Sequence, residues 1–498
     1  MTAELASIDT NRRFDVAILG SGFSGSILAW ILEQSGLRTI LIDKDRHPRF
    51  AIGESSTPSA NLILRSLAET YDLPELETLS RYGTWRDEWP KVRCGLKRGF
   101  SYFAHRSGEP FSTNESNVNQ LIVAASVSDD QGDTQWFRSD VDHFLASKAY
   151  TAGVTLIEAT RLVSARHESP RNWSLDLCQA NLTRTIAADF VVDATGAGQA
   201  LIRTGAVECL PGRLQTRTRS IFAHVRSLPQ WEDCLNAIDV GSTAPHPFRC
   251  DDSAMHHLLD EGWMWWLRFD GGITSVGLVL PEGKSPTESV TPEAEFRAVL
   301  ARYPSLLTAF DKAQVATPEV TRTSRLQRLN ENVAGEDWAL LPSTAGFVDP
   351  LHSTGIAHSL SGVERLASVL TQPSGTCRNQ ALSNYEEQVV SELRWIDQLA
   401  NGCYWSLRDF RKFVAFSMCY FAAASTYERH RLAGRAASFL CANDRTLVET
   451  VSELAGAIAN HSSAEFESAC QVALSPFNHV GLFAPQHPNM YECTALPM

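Results

Sequence analysis

A chain of 498 residues has room for about three domains of ordinary size. Hydrophobic residues make up 44% and charged residues 20%, which excludes a disordered, collagenous or coiled-coil protein. The net charge of −13 argues against nucleic acid or an anionic membrane as the main partner, and it leaves room for a local basic pocket that holds an anionic cofactor. Eleven cysteines lie scattered between Cys94 and Cys493 with no C-x-x-C pair. That pattern predicts reduced thiols in a cytoplasmic protein, with neither a disulfide framework nor a metal site. Met1 to Arg13 is polar and has no apolar centre, so no secretory signal is read there.

In chain order, the first predicted element is a buried parallel strand at 14–19 (FDVAIL), stopped by Gly20. A helix at 26–35 ends at Gly36, and a strand at 38–42 ends at Asp43. This unit has the size of a βαβ crossover. A helix follows at 59–71 and a strand at 96–103. The stretch 107–132, rich in Ser, Asn and Asp, predicts a long loop and a candidate lid. Then come a helix at 140–152 and strands at 154–160, 173–178, 190–192, 220–225, 263–269 and 274–280. A helix at 292–302, a strand at 338–341 and a helix at 358–370 complete this part. Beyond it, apolar residues recur at helical spacing, as at Tyr385, Val389, Leu393, Ile396 and Leu399. The longest uncharged apolar stretch, 413–427, is shorter than the roughly 20 residues that span a bilayer, so it predicts a buried helix.

The fold class is therefore α/β: a Rossmann-type cofactor domain, a mixed β-sheet substrate region and a C-terminal helical region. The expected cofactor domain is discontinuous, at 10–75, 136–205 and 320–371. Residues 76–135 and 206–319 are expected to form the substrate-side sheet and lid, and 372–498 the helical region.

Gly20-Ser21-Gly22-Phe23-Ser24-Gly25 spells G-x-G-x-x-G. It follows a strand and opens a helix, and Asp43 ends the next strand, which is the context a dinucleotide fingerprint requires. Gly20 allows the tight turn, Gly22 lets the backbone approach a pyrophosphate, and Gly25 lets helix and strand pack closely. The helix N-terminus offers its N–H groups to phosphate, and Asp43 is a ribose acceptor. NAD and FAD share this fingerprint. Asp193-Ala194-Thr195-Gly196, the segment Gly346 to Leu351 around Asp349, and the helix start at Arg138 resemble, in order and spacing, those of FAD-dependent oxidoreductases.

Further segments resemble the flavin-dependent halogenases. Pro48-Arg49-Phe50-Ala51-Ile52-Gly53-Glu54-Ser55 is similar to their "PRF-x-IGES" stretch. Gly95 to Phe100 is similar to their lysine-bearing strand, Gly262-Trp263-Met264-Trp265 to the start of W-x-W-x-I-P, and Asp349 to Gly355 to their halide and flavin loop. The resemblance covers most of the first 400 residues. It implies a catalytic Lys97 with Glu54 able to orient it or a substrate. It adds Arg49, Ile52, Ser55 and Ile356 to the FAD contacts, a halide nest at Thr354 and Gly355, and a barrier between substrate and flavin at Trp263 and Trp265. It further implies FAD supplied as FADH2 by a separate NAD(P)H-dependent flavin reductase, with O2 and chloride or bromide as co-substrates. The oxidised halide then passes to the lysine, whose amine is freed when it is desolvated. The substrate is an electron-rich aromatic of pyrrole, phenol or aniline type, free or tethered to a carrier protein.

Three departures stand out. Arg268 stands where the family has proline, as a new cation that could draw the halide or mark altered chemistry. His352 replaces the glutamate of the tryptophan halogenases, as a base or as a structural histidine. Pro342-Ser343 replaces a Gly-Asp pair before the flavin segment. A flavin monooxygenase or dehydrogenase, or a silent flavoprotein that binds a carrier-tethered intermediate, fits the same scaffold.

Overall fold

The computed structural model describes residues 3–9, 12–238, 243–284, 289–373 and 375–495. Two large sheets organise them. In the first, Trp338–Leu340, Leu182–Asp193, Arg13–Leu19, Thr39–Ile42 and Thr155–Ile157 lie side by side, all parallel. The apolar runs at 16–19 and 39–42 are wholly buried because helices cover both faces of a parallel sheet. A hairpin, Thr160–Ser169 and Asn172–Gln179, extends from Leu182–Asp193.

The second sheet has nine strands. Its path runs Gln314–Val315, Thr218–Arg226, Ile273–Pro281, Trp263–Phe269, Ala254–Leu258, Gly99–Ala104, Gln120–Ala124 and Met490–Tyr491, and Thr321–Arg325 pairs off Thr218–Arg226. It is mixed: Ala254–Leu258 runs parallel to Gly99–Ala104, and Met490–Tyr491 runs parallel to Gln120–Ala124. Strand alternation divides its two faces between two cores. Trp263, Trp265 and Leu267 enter the main core with the first sheet and the C-terminal helices, whereas Met264 and Trp266 enter a smaller core behind.

The helices Thr376–Ser406, Phe410–Leu432, Arg445–Ala457 and Ser463–Ala473 form the C-terminal region. The apolar stretch 413–427 lies buried within the second of them. Among the described residues, no helix is long and apolar enough to cross a membrane.

Three expectations need correction. The single strand at 96–103 is two strands in different sheets, Cys94–Lys97 and Gly99–Ala104. The chain changes sheets at Arg98, whose N–H donates to the Asp252 carbonyl at 2.6 Å and whose carbonyl accepts from the Ala125 N–H at 2.7 Å. The polar stretch 107–132 is not one long loop, because its apolar centre forms the buried strand Gln120–Ala124. The strand at 154–160 is split by Ala159, whose φ of +50° turns the chain.

Candidate active site

The glycine loop has the shape its sequence demands. Gly20 has φ +99°, a left-handed value that glycine adopts freely. A Cβ on Gly25 would lie 2.1 Å from the Gly20 carbonyl oxygen. A Cβ on Gly22 would meet only the tips of Arg138 and Asp142, at 3.6 and 3.8 Å. Gly22 precedes the helix Phe23–Gln34, whose first N–H, that of Phe23, donates to Asp142 Oδ1 at 3.2 Å, while the space over Gly22 itself stays clear for an anion to approach the helix N-terminus. The helix begins three residues before its predicted start, directly after Gly22.

Asp43 is buried and busy. Its Oδ2 accepts from Ser21 N and Oγ at 2.7 and 2.8 Å and from Arg49 Nη2 at 3.1 Å, while Oδ1 accepts from the Asp45 N–H. Burial would raise its carboxyl, yet Arg49 and these donors hold it below the ordinary value. Arg49 also approaches Asp142 at 3.8 Å. Arg138 clasps Asp142 with two bonds, at 2.8 and 2.9 Å, and donates to the carbonyls of Ile52 and Gly53. Two guanidinium groups thus stand beside the open glycine. Next to them Phe50 and Ile52 are 42% and 37% exposed, an apolar surface of the kind a flat ring covers. The buried Arg49 Nε and Ser55 Oγ have no partner among the described residues. The residues present fit FAD.

Asp193 is spent on its own turn: Oδ1 accepts from Thr195 N and Oγ1, and Oδ2 from the Leu201 N–H. Asp349 is buried too. Its Oδ2 accepts from Tyr404 Oη at 2.9 Å and Thr218 Oγ1 at 3.2 Å, and burial pushes its carboxyl up to about 7. The turn beyond it reaches Ser353 at φ +53° and opens the helix Thr354–Leu370, whose N-cap has no side-chain bond. Thr354 and Ile356 are buried, and a Cβ on Gly355 would meet nothing within 4 Å. A helix N-terminus with bare N–H groups and open space in front of it can bind an anion.

Lys97 is fully buried. Its Nζ donates to the Ser56 carbonyl at 2.5 Å and lies 4.1 Å from the centre of the Phe100 ring. Burial drives its ammonium well below the ordinary lysine value, and Asp133 opposes the change. A short series of rings leads from this amine to the Asp349–Gly355 loop. Phe100 meets Tyr420 at 6.0 Å, and Tyr420 stacks on His352 at 4.4 Å with only 4° between the planes. His352 also contacts Cys403 Sγ at 3.5 Å, and burial brings its ring down to about 3, so it stays neutral. The histidine is a packed wall of the site.

Trp263 donates from Nε1 to Tyr404 Oη at 2.7 Å, and Tyr404 donates in turn to Asp349. Trp265 donates to Ser275 Oγ and lies over Gly277, where a Cβ would approach the indole to 2.2 Å. Trp263 is thereby tied to the Asp349 loop, and Trp265 stands next to it at 6.1 Å between ring centres. Two expectations are corrected by geometry. Glu54 does not reach Lys97; its Oε1 is 2.7 Å from His224 Nε2. Arg268 is no free cation, because its Nε donates to the buried Asp251 at 2.6 Å and its other nitrogens to the carbonyls of Leu228 and Pro229. Sequence reasoning missed His224, Asp133, Tyr404 and Tyr420. None belongs to a motif, and only folding brings them to the site.

A family model described as FAD dependent oxidoreductase matches residues 15–317. The chain is 30% identical to tetracycline 7-halogenase of Kitasatospora aureofaciens, over 80% of this chain and 71% of that one. It is 28% identical to monodechloroaminopyrrolnitrin halogenase PrnC of Pseudomonas fluorescens, over 82% and 70%. The solved structure of halogenase PltM with phloroglucinol and FAD superposes with a TM-score of 0.82 at 25% identity, covering 93% of this chain and 96% of that one. The glycine loop, the buried lysine and these relatives agree, and the chain belongs to the flavin-dependent halogenases, an FAD-binding family of oxidoreductases.

Proposed function

We propose that the protein halogenates a small, uncharged, electron-rich aromatic of pyrrole, phenol or aniline type in secondary metabolism, either free or tethered to a carrier protein. The observation that carries this reading is a fully buried amine, Lys97, set one short stack of rings from the Asp349–Gly355 loop. Phe100, Phe421, Tyr420 and Trp263 give that region aromatic walls, and His256, brought down to about 3 by burial, adds no charge. Such walls suit a neutral ring.

FAD would be held by the glycine loop with Phe23 and Ser24, by Asp43, Arg49, Ile52, Ser55 and Arg138, and by the segments of Asp193, Asp349 and Ile356. When bound and reduced, FAD supplies the chemistry that turns O2 and chloride or bromide into hypohalous acid. The N–H groups at Thr354 and Gly355 hold the halide. Trp263 and Trp265 keep the substrate away from the flavin side, and Lys97 takes the oxidant and delivers halogen to the ring. Glu54, through His224, fixes the wall between the 49–55 segment and the second sheet. Residues 12–75, 136–205 and 326–371 make up the FAD half and 372–473 the helical cover; the substrate half, 76–135 and 206–319, also takes in the strands Thr321–Arg325 and Met490–Tyr491, which pair within the second sheet. A separate NAD(P)H-dependent reductase supplies FADH2. The free thiols, among them buried Cys94, Cys403 and Cys419, suit a reducing cytoplasm.

The test is direct. Purified protein given reduced FAD, O2, bromide and an activated phenol is expected to yield a brominated product by mass. A hydroxylated product without halogen would replace this reading with a flavin monooxygenase.

A further inference from the structure

Asp133 lies opposite Lys97 in the antiparallel pair of Cys94–Lys97 with Asp133–Trp136. Neither side chain reaches solvent; the two residues are 0% and 1% exposed. Lys97 Nζ has three protons to donate, and one of them goes to the Ser56 carbonyl. Asp133 Oδ1 accepts from Asn61 Nδ2 at 2.5 Å, while its buried Oδ2 has no partner among the described residues.

Other titratable groups approach from each neighbouring element, and most have work of their own. Arg65, on Pro58–Tyr71, faces Asp133, donates to Ser80 Oγ and stands near Arg81 and Glu77. Tyr420 and Glu428 come from Phe410–Leu432, and Glu428 accepts from Ser59. His256 comes from Ala254–Leu258, and Glu54 is bonded to His224. Asp133 is the acid placed across from the amine.

A lone buried ammonium is unfavourable, and so is a lone buried carboxylate. One proton between the two keeps the site neutral in either arrangement. Burial pushes the Lys97 ammonium down and the Asp133 carboxyl up, and their mutual attraction opposes both. We propose that Asp133 is a positioning residue whose buried carboxylate, facing Lys97 across the ladder, holds the proton on Nζ more firmly than burial alone would, and so sets the pH at which the Lys97 amine becomes free to take the oxidant. Deprotonation turns the Nζ ammonium into an amine, the proton passing to a base in solvent, and no electrons change hands. The Nζ lone pair is then open to the electrophilic halogen of hypohalous acid. The inference rests on the role given to Lys97 above.

Lysine-labelled protein without FAD, followed by 13Cε NMR against pH, tests it, with the Lys97 signal assigned by Lys97→Met. The midpoint is expected well below the ordinary lysine value of about 10.4. Asp133→Asn is expected to move it lower still, by about one pH unit or more, because the charge that favours the ammonium is gone. Asp133→Glu brings it back. The acid limb of the pH–rate profile for halogenation follows the midpoint downward in Asp133→Asn. A wild-type midpoint in the ordinary range, or a midpoint and limb that stay put in Asp133→Asn, overturns the inference. If Asp133→Asn does not fold, the wild-type midpoint and Asp133→Glu decide, and a midpoint that falls by about one pH unit or more in Asp133→Glu, which keeps the charge, also overturns it. Retained halogenation in Lys97→Met would sink the role of the lysine instead, and it leaves the NMR result on Asp133 readable.

Discussion

Lys97 and Arg268 are two cations in a largely apolar neighbourhood, and the partners of each decide what it can do. Lys97 has a backbone carbonyl, an aromatic face and an acid across the ladder. Lys97→Ala is expected to end halogenation while FAD binding and release of hydrogen peroxide persist; product analysis beside a peroxide assay checks this. Arg268 sits on the other face of its strand, over Trp266, and neutralises Asp251. Asp251 also accepts from the N–H groups of Trp231 and Glu232 at the start of the helix Trp231–Ile238. Arg268→Met strands that buried carboxylate and is expected to cost about 3 kcal/mol in urea unfolding. The apparent KM for chloride is expected to stay as it was. A changed chloride KM with unchanged stability would return Arg268 to the halide.

Among the elements, the glycine loop separates folding from binding. Gly25→Val places a side chain against the Gly20 carbonyl and should lose both fold and cofactor, whereas Gly22→Val has room within the protein and should lose only FAD. Circular dichroism beside FAD titration distinguishes the two, and a Gly22→Val protein that still binds FAD would remove the loop from the cofactor site. The bridge from Trp263 through Tyr404 to Asp349 ties the second sheet to the loop before Thr354–Leu370. Tyr404→Phe leaves two buried groups short of a partner and is expected to cost about 1–3 kcal/mol, read by thermal unfolding. The glycine loop was legible in the sequence because each glycine answers a local backbone demand. Trp263–Phe269 was legible because its large side chains all needed burial. The strand Ala254–Leu258 was not, since His256 and His257 in Met255-His256-His257 read as polar, yet both are buried between aromatic rings. Tyr404 and Tyr420 lie on long helices without a motif, so their meeting with Asp349 and Phe100 depends on helix packing alone.

At the scale of the whole molecule, buried histidines set the response to acid. Burial brings His105, His256 and His352 down to about 3, and His257 also falls well below its ordinary value. In the unfolded chain each titrates near 6.5. Between those values the unfolded chain binds more protons, so stability is full above about pH 6.5 and is lost as pH falls toward 3. At pH 5 each histidine costs about 2 kcal/mol. Asp349, raised to about 7, acts in the opposite direction, since its proton stays with the folded chain below that pH. Asp133, also raised by burial, acts the same way; four histidines outweigh these two carboxyls, so the urea midpoint at pH 5 is expected to fall below that at pH 7. Equal midpoints would mean that these rings titrate freely.

The strand Met490–Tyr491 closes the second sheet beside Gln120–Ala124, held there by the Asn489 carbonyl and the Thr494 N–H. During synthesis on the ribosome, Gln120–Ala124 emerges several hundred residues before its last neighbour. Its outer edge must wait, bare, through most of translation, and a bare edge invites pairing with other nascent chains. Slower induction or a holding chaperone should therefore raise the soluble yield of this protein more than any change at its cofactor loop.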